Sequence, residues 1–311
     1  MPDTGPTVAP AGTRQSYLLG AGFTLAAVFL FTASHGIVRL LSGGLHPTEI
    51  AFFSNVFSFL FYVPWLIRNG IGAMRTPKFH LHFVRSFFNA AALMSWYTAL
   101  FLTPLGDAVA LAQTGPLFLT LAAILFLGEQ VGPRRWAALG IGAIGALVII
   151  RPGFEEFSLG FIFVLAGACF SAGTKIFAKI LTRYDSPAAC GAYVALLQIP
   201  ITFAFAIWFW REPTLEQILW LAAIGLLVGA AHLTMVQAFR YADVSAVEPL
   251  YYTRLVWAAA IGYFFFAEFP DLWTWVGCAI IVGATTYVAR RESAARSIKR
   301  RTPADSPAPG P

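Results

Sequence analysis

Long apolar runs fill most of the chain and alternate with short polar stretches. Ten of these runs reach the length, about 20 residues, that an α-helix needs to cross roughly 30 Å of hydrocarbon, and the fifth is the shortest. They cover residues 17–41, 47–67, 84–102, 106–127, 134–150, 157–182, 187–210, 216–240, 244–267 and 272–289. The pattern therefore predicts an all-α membrane protein with ten transmembrane helices.

The composition agrees with this pattern and sets the ends of the chain apart. Hydrophobic residues make up 58% of the sequence and charged residues 12%, against about 25% charged residues in a soluble domain. Residues 1–16 and 291–311 are rich in Pro, Gly, Ala and Ser, which predicts a disordered tail at each end, the second one basic. The first apolar run is too long for a signal-peptide core and should stay in the mature chain.

The basic residues predict the orientation in the membrane. If the N-terminus is cytoplasmic, sixteen of the 21 Lys and Arg residues fall on the inner side. Cytoplasmic loops are enriched in these residues, so both termini are expected in the cytoplasm of a multi-pass protein of the cell inner membrane. Topology thus accounts for the net charge of +6, and a nucleic-acid partner is not required.

The two halves of the chain form an internal repeat at an offset of 139–140 residues. The aligned pairs include Arg39 with Lys179, Pro47 with Pro187, Glu129 with Glu268, and Trp136 with Trp275. The repeats are predicted at 17–152 and 153–290, with five helices each. Because five is odd, the second repeat enters the membrane upside down, and such inverted-topology repeats are typical of alternating-access transporters.

Three stretches carry a resemblance to a known family. They are "LGE" at 127–129, "RRWAALGIGAIGALVIIRPG" at 134–153 and "AFRYADVSAVEPLYYTRLVWAAAIGYFFFAE" at 238–268. Together with the duplication, they resemble the drug/metabolite transporter superfamily, and within it the ten-helix EamA-type transporters. The resemblance implies a secondary carrier of small organic solutes, in a group that includes riboflavin and S-adenosylmethionine importers.

Arg254 is the most informative polar residue. In a helix that begins near Asp243 it would lie about 15 Å into the membrane, where an arginine costs at least about 2.5 kcal/mol unless it faces protein or water. One interpretation has Arg254 paired with a carboxylate or with backbone carbonyls of another helix. The other has it facing a cavity and holding an anionic group of the substrate.

Other polar and aromatic residues away from the helix ends complete the candidate site. Asp107, which follows "TPLG", is predicted to cap the N-terminus of the fourth helix. Glu248 can pair with Arg240 or carry a coupling proton, and His232 can serve as a packing residue or as a proton relay. The predicted substrate-binding residues are Arg254, Tyr251, Tyr252, Gln113, Trp96, Tyr97 and Asn89, and the predicted coupling or gating residues are Glu248, His35, Lys175 and His232.

Small residues at four-residue spacing are predicted to bring helices into close contact. Gly225 and Gly229 show this spacing in the eighth helix, and Ala279 and Gly283 show it in the tenth.

Motifs of other functional classes are missing from the sequence. The "HLH" at 80–82 has no Cys or carboxylate at ligand spacing, so a metal site is not expected. No P-loop is present, which argues against direct ATP coupling, and no cofactor is expected. Cys169, Cys190 and Cys278 lie in separate apolar segments and are interpreted as small apolar fillers.

The sequence therefore predicts a secondary transporter of amino-acid-like, nucleoside-like or vitamin-like solutes rather than an enzyme. The expected partners are a small-molecule substrate, the lipid bilayer and protons as the candidate coupling ion, in a monomer or homodimer. One alternative is an uncoupled facilitator or exchanger of the same solutes. The alternative from another class is a membrane-embedded enzyme or scaffold subunit, for which no catalytic cluster is present.

Overall fold

The structure is a computed structural model that describes residues 14–127, 132–152, 158–181, 184–185, 187–241 and 248–301. The α-helices in these residues are α1 (Arg14–Leu40), α2 (Pro47–Asn69), α3 (Phe79–Leu102), α4 (Leu105–Ala112), α5 (Gly115–Leu127), α6 (Pro133–Ile150), α7 (Leu159–Leu181), α8 (Pro187–Ala206), α9 (Leu215–Tyr241), α10 (Arg254–Phe266) and α11 (Leu272–Arg301). Short 3₁₀ helices occur at Leu41–Gly43, Ile71–Met74, Ile207–Phe209 and Glu248–Thr253.

The helices confirm an all-α multi-pass membrane protein. Among the described residues, six helical stretches are long and apolar enough to cross a membrane: Tyr17–Gly43, Pro47–Asn69, Leu105–Ala122, Leu159–Ala178, Ala189–Phe209 and Leu215–Met235. Two shorter apolar helical stretches, Trp136–Ile150 and Leu272–Tyr287, accompany them. The predicted third and ninth segments are not among these stretches, and α10 has only 13 residues.

The fourth predicted segment is a broken helix. Helix α4 ends at Ala112, Gln113 and Thr114 form a turn, and α5 begins at Gly115. The Thr114 hydroxyl donates a hydrogen bond to the Leu111 carbonyl at 2.8 Å. The same carbonyl also accepts from the Thr114 N–H at 3.0 Å, so Thr114 satisfies a backbone group that the end of α4 leaves without an α-helical partner.

The ninth segment is broken as well, and here the sequence-based prediction is wrong. We expected a continuous helix over 244–267, but Glu248–Thr253 is a 3₁₀ helix and Arg254 is the first residue of α10. Residues 242–247 lie outside the described residues. The first residues of α5 and α10, Gly115 and Arg254, are 139 residues apart, which is the repeat offset. Both halves are thus interrupted at the same aligned position.

The helix contacts follow the repeat. In the alignment, α1 corresponds to α7, α2 to α8, α3 to α9, and α6 to α11. Helix α3 packs on α7 and α9 packs on α1, while α2 packs on α9 and α8 packs on α3. The pairs α2 with α8 and α6 with α11 are also in contact. Exchanging each helix for its counterpart therefore leaves this set of contacts unchanged.

The main hydrophobic core lies at one end of the bundle, which we call the Arg39 end. Here α1 and α3 finish and α2, α4 and α7 start, and the core includes Val38, Ile50, Leu100 and Leu105. Two smaller clusters lie toward the opposite end, which we call the Arg85 end. One is Ala27, Met235 and Ala238 between α1 and α9, and the other is Ala122, Ala172 and Ile176 between α5 and α7.

The last helix is longer than its apolar part. Helix α11 runs to Arg301, so residues 291–301, which the sequence assigns to the basic tail, continue the helix. The Ala, Arg, Lys and Glu residues of this stretch have high helix propensity. Residues 1–13 and 302–311 lie outside the described residues, and their disorder stays a prediction.

Glycines bring several helices close together, though not at every predicted position. A Cβ on Gly225 or Gly229 would meet Phe57 or Phe61 of α2, as the spacing predicts for the eighth helix. Gly283 is exposed, and a Cβ there would meet no atom within 4 Å. The prediction of close packing at Gly283 is therefore wrong. The close contact of α11 is made instead by Gly277.

The α6–α11 contact predicts a matched pair of stability effects. A Cβ on Gly277 would lie 2.6 Å from the Gly145 carbonyl oxygen and 2.6 Å from Cγ1 of Ile149. Backbone atoms yield little, so Gly277→Ala should force α6 and α11 apart at a cost of about 1–3 kcal/mol and lower the apparent Tm of the purified protein by about 3 °C or more. Gly283→Ala, on the same helix, should leave the Tm unchanged. Equal Tm values for the two variants would contradict this packing.

Candidate functional site

The candidate site is a cavity at mid-depth in the bundle, with a volume of about 620 Å³. Volumes of roughly 300–1,000 Å³ are usual for small-molecule sites. Helix α3 lines it from Arg85 to Tyr97, the central part of a 24-residue helix. Ala112 and Gly115 at the break between α4 and α5 also line it, as does Arg254 at the start of α10. Both helix interruptions therefore border the same hollow.

The walls of the cavity carry positive charge. Arg85, Lys175 and Arg254 line it, together with His35 and His232. Among the lining residues that the structure describes, none is Asp or Glu. Lys175 already has an interaction partner, so the two arginines define the electrostatics of the cavity most clearly.

Arg254 occupies the most exceptional position. It is held at the start of α10 by the 3₁₀ helix before it, about 18 Å along the axis from the end of α10. Within the described part of the chain its guanidinium makes no hydrogen bond and no ion pair. Of the two interpretations of this residue, the contacts favour the one in which it faces the cavity.

Arg85 is the cation that sequence reasoning missed. We placed the third segment at 84–102 and counted Arg85 with the cytoplasmic loop, but α3 begins at Phe79. Arg85 thus lies nearly two turns inside the helix. Its Nη1 donates to the Cys190 carbonyl of α8 at 3.1 Å, while its Nε is buried and has no hydrogen-bond partner in the part of the chain that the structure describes. The first residues of α3 include several polar side chains and show no helical hydrophobic pattern, so nothing in the sequence indicated that the helix begins before Arg85.

Aromatic side chains form the apolar part of the wall. The rings of His35 and Trp96 meet edge to face with centroids 5.2 Å apart, and those of Phe31 and His232 meet edge to face at 5.0 Å. Tyr97 is 3% exposed. Such a wall can pack against a planar ring of a ligand while the cations hold its charged groups.

The predicted site residues divide into two groups by position. The first group lines the cavity and consists of Arg254, Trp96, Tyr97, Asn89, His35, Lys175 and His232.

The second group has other contacts. The Tyr251 hydroxyl lies 2.7 Å from the Met235 sulfur, and the Tyr252 hydroxyl lies 2.8 Å from that of Thr285. Gln113 is buried in the turn between α4 and α5. The structure does not describe the side chain of Glu248. The roles of all these residues in binding or coupling stay predictions.

The Arg39 end of the bundle is tied together by polar side chains from both halves. Arg39 forms an ion pair with Glu268, and its Nη1 donates to the carbonyls of Leu100 at 2.5 Å and Thr103 at 3.0 Å. The second oxygen of Glu268 accepts from the Leu105 N–H at 3.3 Å. These contacts join α1, the α3–α4 connection and the residues after α10. We call this cluster the Arg39–Glu268 lock.

Helix termini position the lock. Ala267 ends α10 in the left-handed conformation, with a φ of 55°, which is uncommon for a residue other than glycine. Together with the hydrogen bond from the Glu268 N–H to the Gly262 carbonyl at 2.9 Å, this conformation reverses the chain and presents Glu268 to α1.

Two further polar contacts join the halves at the same end. Asp107 does not cap α4 as predicted, because Pro104 is the N-cap residue and the Asp107 carboxylate accepts a hydrogen bond from the Thr274 hydroxyl at 2.7 Å. Arg151 pairs with Asp271 at 2.6 Å. Burial raises the pKa of the Asp271 carboxyl, but hydrogen bonds from Thr274 and the Arg151 guanidinium outweigh it and hold that pKa below its ordinary value.

In the described residues, no group of three or more His, Cys, Asp or Glu side chains lies close enough together to hold a metal ion. His82, from the "HLH" stretch, is buried and contacts the Asp185 carboxylate at 2.9 Å. This contact joins the start of α3 to the connection that follows α7.

Comparisons with known proteins agree on one family. The profile of the EamA-like transporter family matches residues 18–151 and again 158–290. A riboflavin transporter of Brucella anthropi is 33% identical over 80% of this chain and 90% of its own length. An S-adenosylmethionine uptake transporter of Rickettsia bellii is 27% identical over 92% and 98%, and a pseudopaline exporter of Pseudomonas aeruginosa is 29% identical over 88% and 97%.

A solved structure shares the fold. It superposes with a TM-score of 0.61 at 21% identity and covers 90% of this chain and 99% of its own. The relatives bear the names of transporters, which confirms the prediction of a transporter rather than an enzyme.

The cavity predicts a contrast in reactivity between two neighbouring residues. Asn89 lines the cavity, whereas Ala90 is 0% exposed. In a background with the exposed Cys169 replaced by Ala, Asn89→Cys should react with a small water-soluble methanethiosulfonate about tenfold faster than Ala90→Cys, because the reaction needs a hydrated thiolate. The background protein, which retains the buried Cys190 and Cys278, sets the baseline. Similar rates for the two variants would mean that the cavity is closed to water.

Proposed function

Because the chain belongs to the EamA-like transporter family, we propose that it is a secondary transporter that moves a small organic metabolite across the cell inner membrane by alternating access. The observation that carries this proposal is the mid-depth cavity bordered by two broken helices. Substrate sites of inverted-repeat transporters are typically formed by discontinuous helices near the bilayer midplane.

The proposed architecture has ten transmembrane segments in two inverted five-helix repeats. Helices α4 and α5 form the fourth segment, and the 3₁₀ helix Glu248–Thr253 with α10 forms the ninth. Support comes from the helix pairs named above, which are preserved when the repeats are exchanged, and from the two breaks at one aligned position. The repeats are proposed at 17–152 and 153–290.

The proposed orientation puts both termini in the cytoplasm, on the strength of the distribution of Lys and Arg. The Arg39 end then faces outward and the Arg85 end faces the cytoplasm. One continuous core and the Arg39–Glu268 lock close the outer end, while the two small clusters toward the Arg85 end share no residue. The proposed state is one that is open to the cytoplasm between those two clusters.

The proposed substrates are amino-acid-like, nucleoside-like or vitamin-like solutes. The relatives named for riboflavin and for S-adenosylmethionine both suggest a solute with a planar heterocycle. Trp96, Tyr97 and His35 in the wall offer aromatic surface for such a ring. Protons are the proposed coupling ion, with His35, His232 and Glu248 as the candidate carriers and Lys175 as a candidate gating residue.

Counterflow in proteoliposomes tests transport directly. Vesicles that contain the purified chain and unlabelled riboflavin should accumulate labelled riboflavin transiently above its equilibrium level, because a carrier exchanges solutes through one alternating site. Empty liposomes provide the control. An uncoupled facilitator would show counterflow that is indifferent to a pH gradient, whereas a proton-coupled carrier would lose uphill uptake when the gradient is collapsed. A protein that shows no counterflow with riboflavin, nucleosides or amino acids would contradict the proposal.

The Arg39–Glu268 lock is expected to stabilise the state in which the Arg39 end is closed over the state in which it is open. Val38 lies in the core beside Arg39 and is 0% exposed. Glu268→Gln removes the charge of the ion pair but keeps the side-chain size. It should raise the reactivity of a Val38→Cys reporter toward a thiol reagent about tenfold, since a charge-assisted hydrogen bond contributes about 1.5–3 kcal/mol.

The matched control is Glu216→Gln, an exposed carboxylate at the same end, on α9. This variant should leave the reporter at its original rate. A reporter that is equally protected in all three proteins would show that the lock does not hold this end closed.

A further inference from the structure

We propose that the substrate of this cavity is an organic acid with at least two negative charges, carried by carboxylates or by a phosphate monoester, on an otherwise apolar or aromatic body. The inference rests on the proposed transport function and names its substrate class. It depends on the charges of the wall, on their spacing and on the hydrogen-bonding groups between them.

Two arginines of the wall have no carboxylate partner within the described residues. There, Arg254 makes no ion pair or hydrogen bond, and Arg85 donates to the Cys190 carbonyl. A buried charge without a counter-charge costs several kcal/mol, and the described lining supplies no carboxylate. An anionic ligand would supply the missing charge to both residues. The site is thus electrostatically complementary to an anion rather than to a neutral molecule.

The two arginines lie at different depths. Arg85 is six residues from the start of α3, about 9 Å along the axis. Arg254 is twelve residues from the end of α10, about 18 Å from the opposite end. Across a helix of 24 residues, about 36 Å, their levels differ by about 9 Å. Each arginine side chain reaches several ångströms from its backbone, so a ligand with two negative charges, on two carboxylates or on one phosphate, can meet both guanidinium groups.

Donors outnumber acceptors among the buried polar atoms of the wall that have no hydrogen-bond partner in the described residues. Nε of Arg85, Nε1 of Trp96 and Nδ2 of Asn55 can only donate, Oε1 of Gln198 can only accept, and Oγ of Ser54 can do either. Buried polar groups of native proteins are nearly always paired, so these donors indicate a partner rich in acceptor oxygens. Carboxylates and phosphates accept without donating, and guanidinium groups bind them in bidentate geometry.

A cationic solute does not fit this wall. S-adenosylmethionine, the solute in the names of several relatives, carries a sulfonium and an ammonium group against one carboxylate, so it would bring a net positive charge to a wall that contains Arg85 and Arg254. Like charges brought together in a site of low dielectric repel strongly. The chain should therefore differ from those relatives in its solute.

Two pairs of matched probes test the proposal. Riboflavin and FMN share one ring system and differ by a phosphate monoester, and glutaramate and glutarate share one skeleton and differ by one carboxylate. Binding is measured by the thermal shift of the purified full-length chain, since a ligand that binds only the folded state raises apparent stability. In at least one pair the member with the extra charge should bind about tenfold more tightly, and the pair that responds identifies phosphate or carboxylate as the recognised group.

Two variants assign the effect to the arginines. Arg254→Gln and Arg85→Gln should each weaken the more charged probe about tenfold and leave the less charged one within about twofold, and Arg254→Lys should restore part of the lost affinity. Arg68→Gln, at the exposed end of α2, is the control and should change neither. The proposal is overturned if the less charged member binds as well in both pairs, or if the arginine variants affect both members equally.

The binding experiments and the counterflow experiment can fail independently of each other. Counterflow of riboflavin without any preference for FMN would keep the transporter and remove the anionic substrate. Charge-selective binding that depends on Arg85 and Arg254, in a protein that fails in counterflow, would keep the anion site and remove the transport function.

Discussion

A guanidinium near the middle of a hydrocarbon layer is the constraint on which the rest of this structure depends. Arg254 cannot face lipid without a large cost, and the described chain offers it no carboxylate. It must therefore border water or an anion, and the bundle needs a hollow at that depth. The cavity, the cations around it and the spacing of the helices that line it all follow from placing this one residue.

The interrupted helices are the structural means by which the hollow is built. Irregular backbone at membrane depth is tolerated only where protein or a water-filled cavity surrounds it. Here the turn at Gln113 and Thr114 and the 3₁₀ helix before Arg254 both occur beside the cavity, and the Thr114 hydroxyl satisfies a carbonyl that the break exposes. A duplicated sequence places both breaks at one aligned position, so the cavity is formed jointly by the two repeats.

The sequence predicted the features that depend on hydropathy and on the internal repeat. It did not predict the features that depend on local helix geometry. Apolar length predicted the membrane class, and a charge inside an apolar run pointed to Arg254. Tyr251 and Tyr252 lie in a 3₁₀ helix, which has about three residues per turn and therefore rotates side chains differently from the α-helix expected over 244–267. Arg85 was assigned to a loop because polar residues at the start of α3 hid the helix boundary. Spacing alone also cannot reveal which face of α11 packs, and Gly277 rather than Gly283 makes the contact.

The closure at the Arg39 end is of a kind that a ligand can overcome. The ion pair of Arg39 and Glu268, the contact of Asp107 with Thr274 and the pair of Arg151 and Asp271 each join one half to the other. Such bonds exchange for bonds to water, so each contributes only about 0.5–1.5 kcal/mol net, or up to about 3 kcal/mol where charged. Apolar contacts are non-directional and can be exchanged as helices tilt. The total of a few kcal/mol is comparable to the roughly 5.5 kcal/mol of differential affinity that moves a two-state equilibrium from 1:99 to 99:1. An anion that contacts both cavity arginines could supply a difference in binding free energy of this size. The charge of the substrate would then determine whether the Arg39 end opens.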